Sequence, residues 1–283
     1  MHKERYRESE GAALRCNLCP HFCLIQPGRT GRCRVRLNED GELYAQNYAE
    51  VTAIALDPIE KKPLYHFFPG QMILSVGTWG CNLQCQFCQN WEIAHGDPAF
   101  VATSAEKLAE LAEQQGPLNL GVAYTYSEPI VWLEYVCDAA VAVKRRGLKN
   151  VLVTNGFINP EPLAELLPLM DAMNIDLKAF SPGFYQDICG GGLEAVKKTI
   201  ATAVGSCHVE VTTLVVPGLN DGDEEITQLA RWLAGIDPAI PLHLSRYFPR
   251  YRMELPATPM ESLLNARSLA QRYLHNVYVG NVG

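Results

Sequence analysis

Residues 77–94 read GTWGCNLQCQFCQNWEIA and carry three cysteines in the spacing C-x3-C-x2-C, at Cys81, Cys85 and Cys88. Three thiolates this close together can ligate three irons of one cubane [4Fe-4S] cluster. Because no fourth cysteine follows in the same loop, one iron is left open to bind a substrate or cofactor directly. A zinc site and three buried core cysteines are the alternatives for this spacing.

From Met72 onward the chain alternates short apolar runs with helical patterns, among them a helix that Ser104 is expected to cap. The strands predicted from these runs are 72–77, 120–125, 150–154, 172–177, 209–216 and 240–246. Six successive βα units predict the α/β class, with a parallel sheet curved into a partial (β/α)6 TIM-like barrel. Such folds carry their chemistry at the carboxyl ends of the strands, where the cysteine loop also lies.

A second cysteine group lies near the N-terminus, where Cys16, Cys19, Cys23 and Cys33 follow the spacing C-x2-C-x3-C-x9-C. The segment is rich in turn residues, so a metal is expected to supply its folding free energy. Zinc and a second iron–sulfur cluster both suit four cysteines, and His21 could replace one ligand; unligated thiols are the simpler alternative. We therefore predict a cysteine-rich segment and link over 1–70 and a barrel over 71–283.

Composition narrows the class of protein. A chain of 283 residues with 48% hydrophobic residues can bury a large core, and a formal net charge of −7 argues against a broad nucleic-acid-binding surface. The N-terminus has no apolar signal region, and no apolar run approaches ~18 residues, so we expect neither a signal peptide nor a membrane span. Ten cysteines without a secretion signal are typical of metal ligands in a reducing compartment, which predicts a cytoplasmic protein.

Polar residues follow several predicted strands. Glu128 can accept a hydrogen bond from an ammonium group or stabilise a helix N-terminus. Thr154 and Asn155 can bind a cofactor or simply form a turn. Asp176 and Lys178 alternate on one face of the fourth strand, where buried charges favour a charged ligand or a mutual ion pair.

Five further residues are candidates on weaker grounds. Arg246 could bind a carboxylate of a substrate or cofactor, whereas His243 is more often a core histidine. Cys137 and Cys207 fit core positions. Cys189, in the loop ICGGG, is expected to be an inert thiol, with donation of a hydrogen atom to a substrate radical as the alternative.

With an aromatic residue before its third cysteine, the central stretch resembles the radical S-adenosylmethionine (SAM) family. The resemblance implies that the open iron chelates SAM and that one electron cleaves it to methionine and a 5′-deoxyadenosyl radical. Glu128 resembles the glutamate of the family's Gly-Gly-Glu-Pro segment, which contacts the SAM amino group, although Tyr126 and Ser127 replace the two glycines. Asp176 and Lys178 resemble the Asp-x-Lys of pyruvate formate-lyase activating enzyme, which meets the charged groups of SAM.

The resemblance to radical SAM proteins of the AmmeMemoRadiSam system extends over nearly the whole chain. It includes DPIEKKPLYHFFPG, AYTYSEP, VTNGF, NIDLKAF, VPGLND and VYVGNVG. It implies an oxidoreductase acting on an unknown substrate, a flavodoxin- or ferredoxin-like electron donor, and partners of the Memo system. That family usually continues into a cysteine-bearing tail, so this chain is expected to be a short or truncated member.

Three alternatives remain open at this point. The first is a glycyl-radical-enzyme activase that acts on a partner protein. The second is a non-catalytic iron–sulfur or zinc scaffold that docks partners through its basic first 36 residues. The third is a nucleic-acid modifying enzyme, which the acidic net charge disfavours.

Overall fold

Short antiparallel strands form the amino-terminal part of the chain. The computed structural model describes residues 2, 3 and 5–282 of the protein. The strands are β1 (His2–Lys3), β2 (Arg7–Glu10), β3 (Ala13–Cys16), β4 (Leu24–Ile25), β5 (Arg36–Glu39), β6 (Glu42–Ala45) and β7 (Glu50–Val51). Two three-stranded sheets result, in the orders β1-β6-β5 and β2-β3-β4. This segment is therefore more regular than its turn-rich sequence suggests.

An eight-stranded sheet forms the centre of the molecule. Its members are β8 (Ala53–Pro58), β9 (Met72–Gly77), β11 (Asn119–Tyr124), β12 (Lys149–Thr154), β13 (Ala172–Asp176), β14 (His208–Val215), β15 (Leu242–Arg246) and β16 (Val277–Gly280), and the short β10 (Val101–Ala102) pairs with β7 outside it. The order is β16-β15-β14-β13-β12-β11-β9-β8, and every pair is parallel except β8 with β9. The six predicted strands are confirmed to within two residues, and the α/β class with a mostly parallel sheet is confirmed with them.

Helices follow the parallel strands in turn. They are α1 (Trp91–Ala94), α2 (Ala105–Gln114), α3 (Leu133–Arg145), α4 (Pro160–Leu166), α5 (Pro182–Phe184), α6 (Leu193–Val204), α7 (Asp223–Ile236) and α8 (Met260–Ala270). Ser104 caps α2 as predicted, since its Oγ accepts a hydrogen bond from the Lys107 amide at 3.2 Å. Across the described residues, no helix has both the length and the apolar character needed to cross a membrane.

A buried carboxylate joins the β8–β9 link to the amino ends of the strands. Glu210 of β14 accepts hydrogen bonds from the His66 amide at 2.7 Å, from His208 at 2.9 Å and from His243 at 2.6 Å. Burial alone would raise the pKa of Glu210, but these hydrogen bonds lower it to about 2. His243 is thus a satisfied core histidine, and the link covers the end of the sheet opposite the cysteine loop.

The amino-terminal segment packs against the helices of the central sheet. Arg36 of β5 forms an ion pair with Glu134 of α3 at 3.0 Å, and both side chains are 1% exposed. The Asn159 side chain, just before α4, donates to the Asn17 carbonyl at 2.7 Å. Residues 53–58, which the sequence analysis assigned to the link, belong to the central sheet as an edge strand, while the division of the chain at residue 70 stays a prediction.

Candidate active site

A cavity of about 270 Å³ lies at the carboxyl ends of the parallel strands. Its volume is near the lower end of the range for small-molecule sites, roughly 300–1,000 Å³. The predicted site residues on its wall come from the last residues of four strands or from the segments that follow them; they are Cys81, Cys85, Cys88, Glu128, Thr154, Asn155, Asp176 and Lys178. The fold therefore brings the three cysteines and every predicted SAM ligand except Arg246 to one cavity, while their roles stay predictions.

Backbone hydrogen bonds fix the cysteine loop against a distant segment. The Gln84 amide donates to the Cys189 carbonyl at 2.8 Å, and the Gln86 amide donates to the Ile188 carbonyl at 3.0 Å. Within the loop, the Cys88 amide donates to the Cys85 carbonyl at 3.2 Å. The loop is thus held by one distant segment and by its own backbone, without regular secondary structure of its own.

The three thiols differ in their electrostatic surroundings. Burial raises the pKa of Cys81 well above its usual value and that of Cys88 to about 11. A hydrogen bond from the Cys189 thiol, with the Lys178 ammonium nearby, lowers the pKa of Cys85 despite its burial. A bound metal would bring all three to the thiolate form, since a coordinating thiol is deprotonated.

Neither cysteine group converges on a single point. Among the described residues, no three His, Cys, Asp or Glu side chains lie close enough together to hold one metal ion. A cubane cluster takes one thiolate on each of its irons and so needs thiols spread around a space. The donor set and spacing of Cys81, Cys85 and Cys88 therefore fit a [4Fe-4S] cluster.

Glu128 is buried at the cavity wall with three donors around its carboxylate. Its side chain is 1% exposed and accepts hydrogen bonds from the Thr154 hydroxyl at 2.6 Å, the Asn155 amide at 2.8 Å and the Ile130 amide at 3.0 Å. Burial raises the pKa of Glu128 to about 7, although these hydrogen bonds favour the ionised form. Glu128 therefore both caps the turn before α3 and lines the cavity. This position is compatible with both predicted roles, which are stabilising a helix N-terminus and accepting a hydrogen bond from an ammonium group.

Asp176 and Lys178 form an ion pair of 2.9 Å on the cavity wall. Their side chains are 36% and 14% exposed, so both are reachable from the cavity. Burial works to lower the pKa of Lys178, but Asp176 and the nearby Cys85 and Cys189 thiols outweigh it and raise the pKa well above the usual value. The pair presents one anion and one cation to anything that enters.

Arg246 behaves differently from the other candidates. Its Nε donates to the Thr258 carbonyl at 2.8 Å and its guanidinium lies over the Phe248 ring at 4.9 Å. It is not among the residues that line the cavity. Arg246 therefore holds the segment after β15, and a role in binding a ligand stays a prediction without support from its position.

Sequence reasoning missed Asn82 as a neighbour of the cysteine loop, and it named Cys189 without predicting that this thiol lies beside Cys85. Cys189 is fully buried beside Cys85, although it ends the π-helical turn Tyr185–Cys189, far along the chain. Asn82 accepts a hydrogen bond from the Asn155 side chain at 2.8 Å and donates to the Phe157 carbonyl at 2.7 Å. The position of Asn82 directly after Cys81 is the sequence signal that could have identified it.

Tyr126 explains one departure from the motif. It adopts a φ of +70°, a left-handed backbone conformation that glycine takes without strain. Its hydroxyl donates to Asp57 at 3.0 Å, and the Lys62 ammonium lies 4.8 Å from the centre of its ring. These contacts hold a bulky residue where the resembling family has glycine.

Comparisons with known proteins agree with this geometry. The family model for the Radical SAM superfamily matches residues 76–233. An uncharacterized protein of Methanocaldococcus jannaschii is 40% identical across 98% of this chain and 84% of its own length. The pyruvate formate-lyase 1-activating enzyme of Escherichia coli is 26% identical across 54% of this chain, and the match spans 65% of that enzyme.

Two solved structures are similar in fold. SuiB of Streptococcus suis bound to SAM gives a TM-score of 0.57 at 16% identity, covering 72% of this chain and 48% of SuiB. A radical SAM methyltransferase from Sphaerobacter thermophilus gives a TM-score of 0.56 at 16% identity, covering 76% of this chain and 67% of that protein. At this identity the likeness concerns the fold alone.

Proposed function

Because the chain belongs to the radical SAM superfamily, we propose that it is an oxidoreductase that cleaves SAM reductively at a [4Fe-4S] cluster held by Cys81, Cys85 and Cys88. One observation carries the proposal: these thiols share a cavity with a buried carboxylate and an Asp–Lys pair. When bound, the cluster supplies one electron and SAM supplies the 5′-deoxyadenosyl radical that takes a hydrogen atom from the substrate. The substrate is left open, since a fold does not specify it.

Each residue has a distinct part in this proposal. Glu128, once ionised, accepts a hydrogen bond from the SAM ammonium group. Asp176 and Lys178 weaken their mutual ion pair when SAM binds, as Asp176 then interacts with the SAM ammonium and Lys178 with the SAM carboxylate. Thr154 and Asn155 act by donating to Glu128, so they orient the carboxylate rather than bind the ligand directly.

Several finer assignments belong to the same proposal. The motifs shared along the chain support membership of the AmmeMemoRadiSam system, with Memo proteins as partners and a flavodoxin- or ferredoxin-like donor in the cytoplasm. The strand order supports a sheet curved as a partial TIM-like barrel. The amino-terminal cysteines line a second cavity and are proposed as ligands of zinc or a further iron–sulfur cluster.

Electron paramagnetic resonance (EPR) of the reduced protein tests the proposal. After anaerobic reconstitution, we expect a [4Fe-4S]⁺ signal that changes when SAM is added, and 5′-deoxyadenosine in the quenched reaction. Cys85→Ala is expected to abolish both, whereas Cys207→Ala, which changes a thiol outside both cysteine groups, leaves them unchanged. A signal indifferent to SAM, with no nucleoside product, would reject the enzyme and favour the scaffold.

Similarity to pyruvate formate-lyase activating enzymes favours a second, narrower candidate. In it, the chain activates a partner enzyme by taking a hydrogen atom from one of its glycines. Incubating the reconstituted protein with SAM, reductant and a candidate partner should then produce a protein-based radical signal on the partner. SAM cleavage without such a signal on any candidate partner would leave the broader proposal in place and remove this one.

A further inference from the structure

A second group of four cysteines surrounds a small cavity behind the cysteine loop. Cys16 and Cys33 are buried, Cys19 and Cys23 are half-buried, and all four thiols are free. The Cys16 amide donates to the Cys23 carbonyl at 2.9 Å, which closes the loop that carries the first three. The fold thus gathers thiols that the sequence spreads over residues 16–33.

The four thiols border one enclosed space. Cys16, Cys19, Cys23 and Cys33 all contribute to the wall of the small cavity, together with several apolar side chains. Cysteine thiolates are the usual ligands of iron–sulfur clusters and of structural zinc, so four of them around one space form a site for a metal.

Asn82 separates this site from the active-site cavity. It follows Cys81 directly and lines the small cavity together with the four cysteines. Its backbone carbonyl oxygen lies at hydrogen-bond distance, 2.7 Å, from Nε2 of His21. Its side chain accepts a hydrogen bond from the Asn155 side chain. The Asn155 side-chain nitrogen in turn lies 3.8 Å from the Cys81 sulfur.

Gly80 shows how closely the two segments approach. Its φ of +92° is a conformation that favours glycine, and a Cβ there would lie 3.0 Å from the Cys33 carbonyl oxygen and 2.4 Å from Cγ2 of Val35. The backbone that leads into the cysteine loop therefore rests directly on the second site. Gly80 thus lies between Cys81, which follows it in the chain, and the backbone of Cys33.

We propose that Cys16, Cys19, Cys23 and Cys33 hold a redox-active iron–sulfur cluster that reduces the cluster at Cys81, Cys85 and Cys88. The external donor gives one electron to the amino-terminal cluster, which is then oxidised again as it passes that electron to the active-site cluster. The proposal rests on the proposed function, since it needs a redox centre in the active site.

Two features favour iron–sulfur over zinc at the second site. Zinc has no redox chemistry, so a zinc site could not transfer electrons to the active-site loop that it contacts. A ligand shell in direct contact with the other cluster's loop also suits electron transfer.

Metal content and EPR of the full chain test this proposal. In wild-type protein reconstituted without oxygen, we expect about four more irons per chain than in Cys19→Ser/Cys23→Ser, with no stoichiometric zinc. Fully reduced wild-type protein should show a signal broadened by interaction between two spins, and the double variant a single unbroadened signal. Cys137→Ser/Cys207→Ser, which changes two thiols outside both groups, should match wild type.

Reduction kinetics test the relay itself. With reduced flavodoxin as donor, the active-site cluster of the double variant should be reduced at least tenfold more slowly than in wild type. Stoichiometric zinc, equal iron in both proteins, two non-interacting signals or equal reduction rates would overturn the proposal. If the EPR signal of the double variant still responds to SAM, the proposed function holds whether or not the relay exists. If the EPR signal of the wild-type protein does not respond to SAM, the proposed function itself is rejected.

Discussion

At the scale of single residues, the protonation of Glu128 controls how the cavity receives a cation. Burial raises the pKa of Glu128 to about 7, so the carboxyl is neutral in acid and ionised above neutrality. A ligand ammonium favours the ionised form, and binding therefore strengthens as pH rises through this value. We expect SAM to bind about tenfold more weakly at pH 6 than at pH 8, as measured by isothermal titration calorimetry of the reconstituted protein.

Glu128→Gln is the matched control, because it keeps the size of the side chain and removes its titration. Its SAM affinity should be weaker than that of wild type at pH 8 and nearly constant between pH 6 and pH 8. A wild-type affinity that does not change over this range would contradict the assignment of Glu128 to the ammonium group.

Cys189 is expected to set the redox potential of the active-site cluster. Its thiol donates a hydrogen bond to Cys85, and hydrogen bonds to cluster sulfurs stabilise the more negative, reduced state. Cys189→Ala should therefore shift the midpoint potential of the cluster to a more negative value in an EPR-monitored redox titration. Cys207→Ala should leave it in place, and an unchanged potential in Cys189→Ala would refute the tuning role.

These two residues also show what sequence could reveal at this scale. Glu128 was identifiable from its position after a predicted strand, whereas its raised pKa depends on burial that no local pattern encodes. Cys189 lies far along the chain from Cys85, and only the backbone bonds between their loops bring the two thiols together. Its assignment as an inert thiol followed from the local sequence alone.

At the scale of elements, the end of β9 must lie against the segment after β11. A Cβ at Gly77 would lie 2.6 Å from the Thr125 backbone oxygen, and neither backbone can give way without moving a strand end. Gly77→Ala should lower the free energy of unfolding by about 1–3 kcal/mol in urea titration. It should also weaken SAM binding, because the displaced segment carries Glu128.

Gly205→Ala provides the comparison for this change. A Cβ at Gly205 meets only the Thr202 carbonyl oxygen at 3.7 Å, an ordinary contact. This variant should be as stable as wild type or slightly more stable, since alanine restricts the unfolded chain. Equal stability of the Gly77 and Gly205 variants would mean that the strand end tolerates displacement.

The strands differ in how far the sequence predicts them. The six apolar runs were recognisable because parallel strands are buried on both faces. The edge strand β8 was missed, since four of its six residues are exposed and it reads as part of a proline-rich link. Its pairing with β9 is a tertiary contact, and β16 likewise is recognisable as a strand only beside β15.

At the scale of the whole molecule, a buried ion pair joins the amino-terminal segment to the central fold. Arg36→Met would leave the Glu134 carboxylate buried beside an apolar side chain, which typically costs about 3–5 kcal/mol. We expect the holoprotein to lose about this much stability in urea unfolding followed by far-UV circular dichroism. The loss should appear in one transition, because the segment and α3 unfold together.

Arg36→Met/Glu134→Leu separates charge from packing. Removing both partners should restore most of the lost stability, as replacing a buried ion pair by apolar residues is often neutral or better. A double variant as unstable as Arg36→Met would assign the effect to packing. Two separate transitions in wild type would show that the amino-terminal segment folds independently.

The order of ligands along the chain has a consequence for biosynthesis. All seven cysteines assigned to metals lie between residues 16 and 88, whereas the strands from β11 to β16 lie between residues 119 and 280. A ribosome synthesises the chain from its amino terminus, so every one of these thiols leaves the exit tunnel before most of the sheet that buries them exists. The nascent polypeptide is therefore open to cluster-delivering proteins and to oxygen alike, and successful maturation depends on which of them reaches it first.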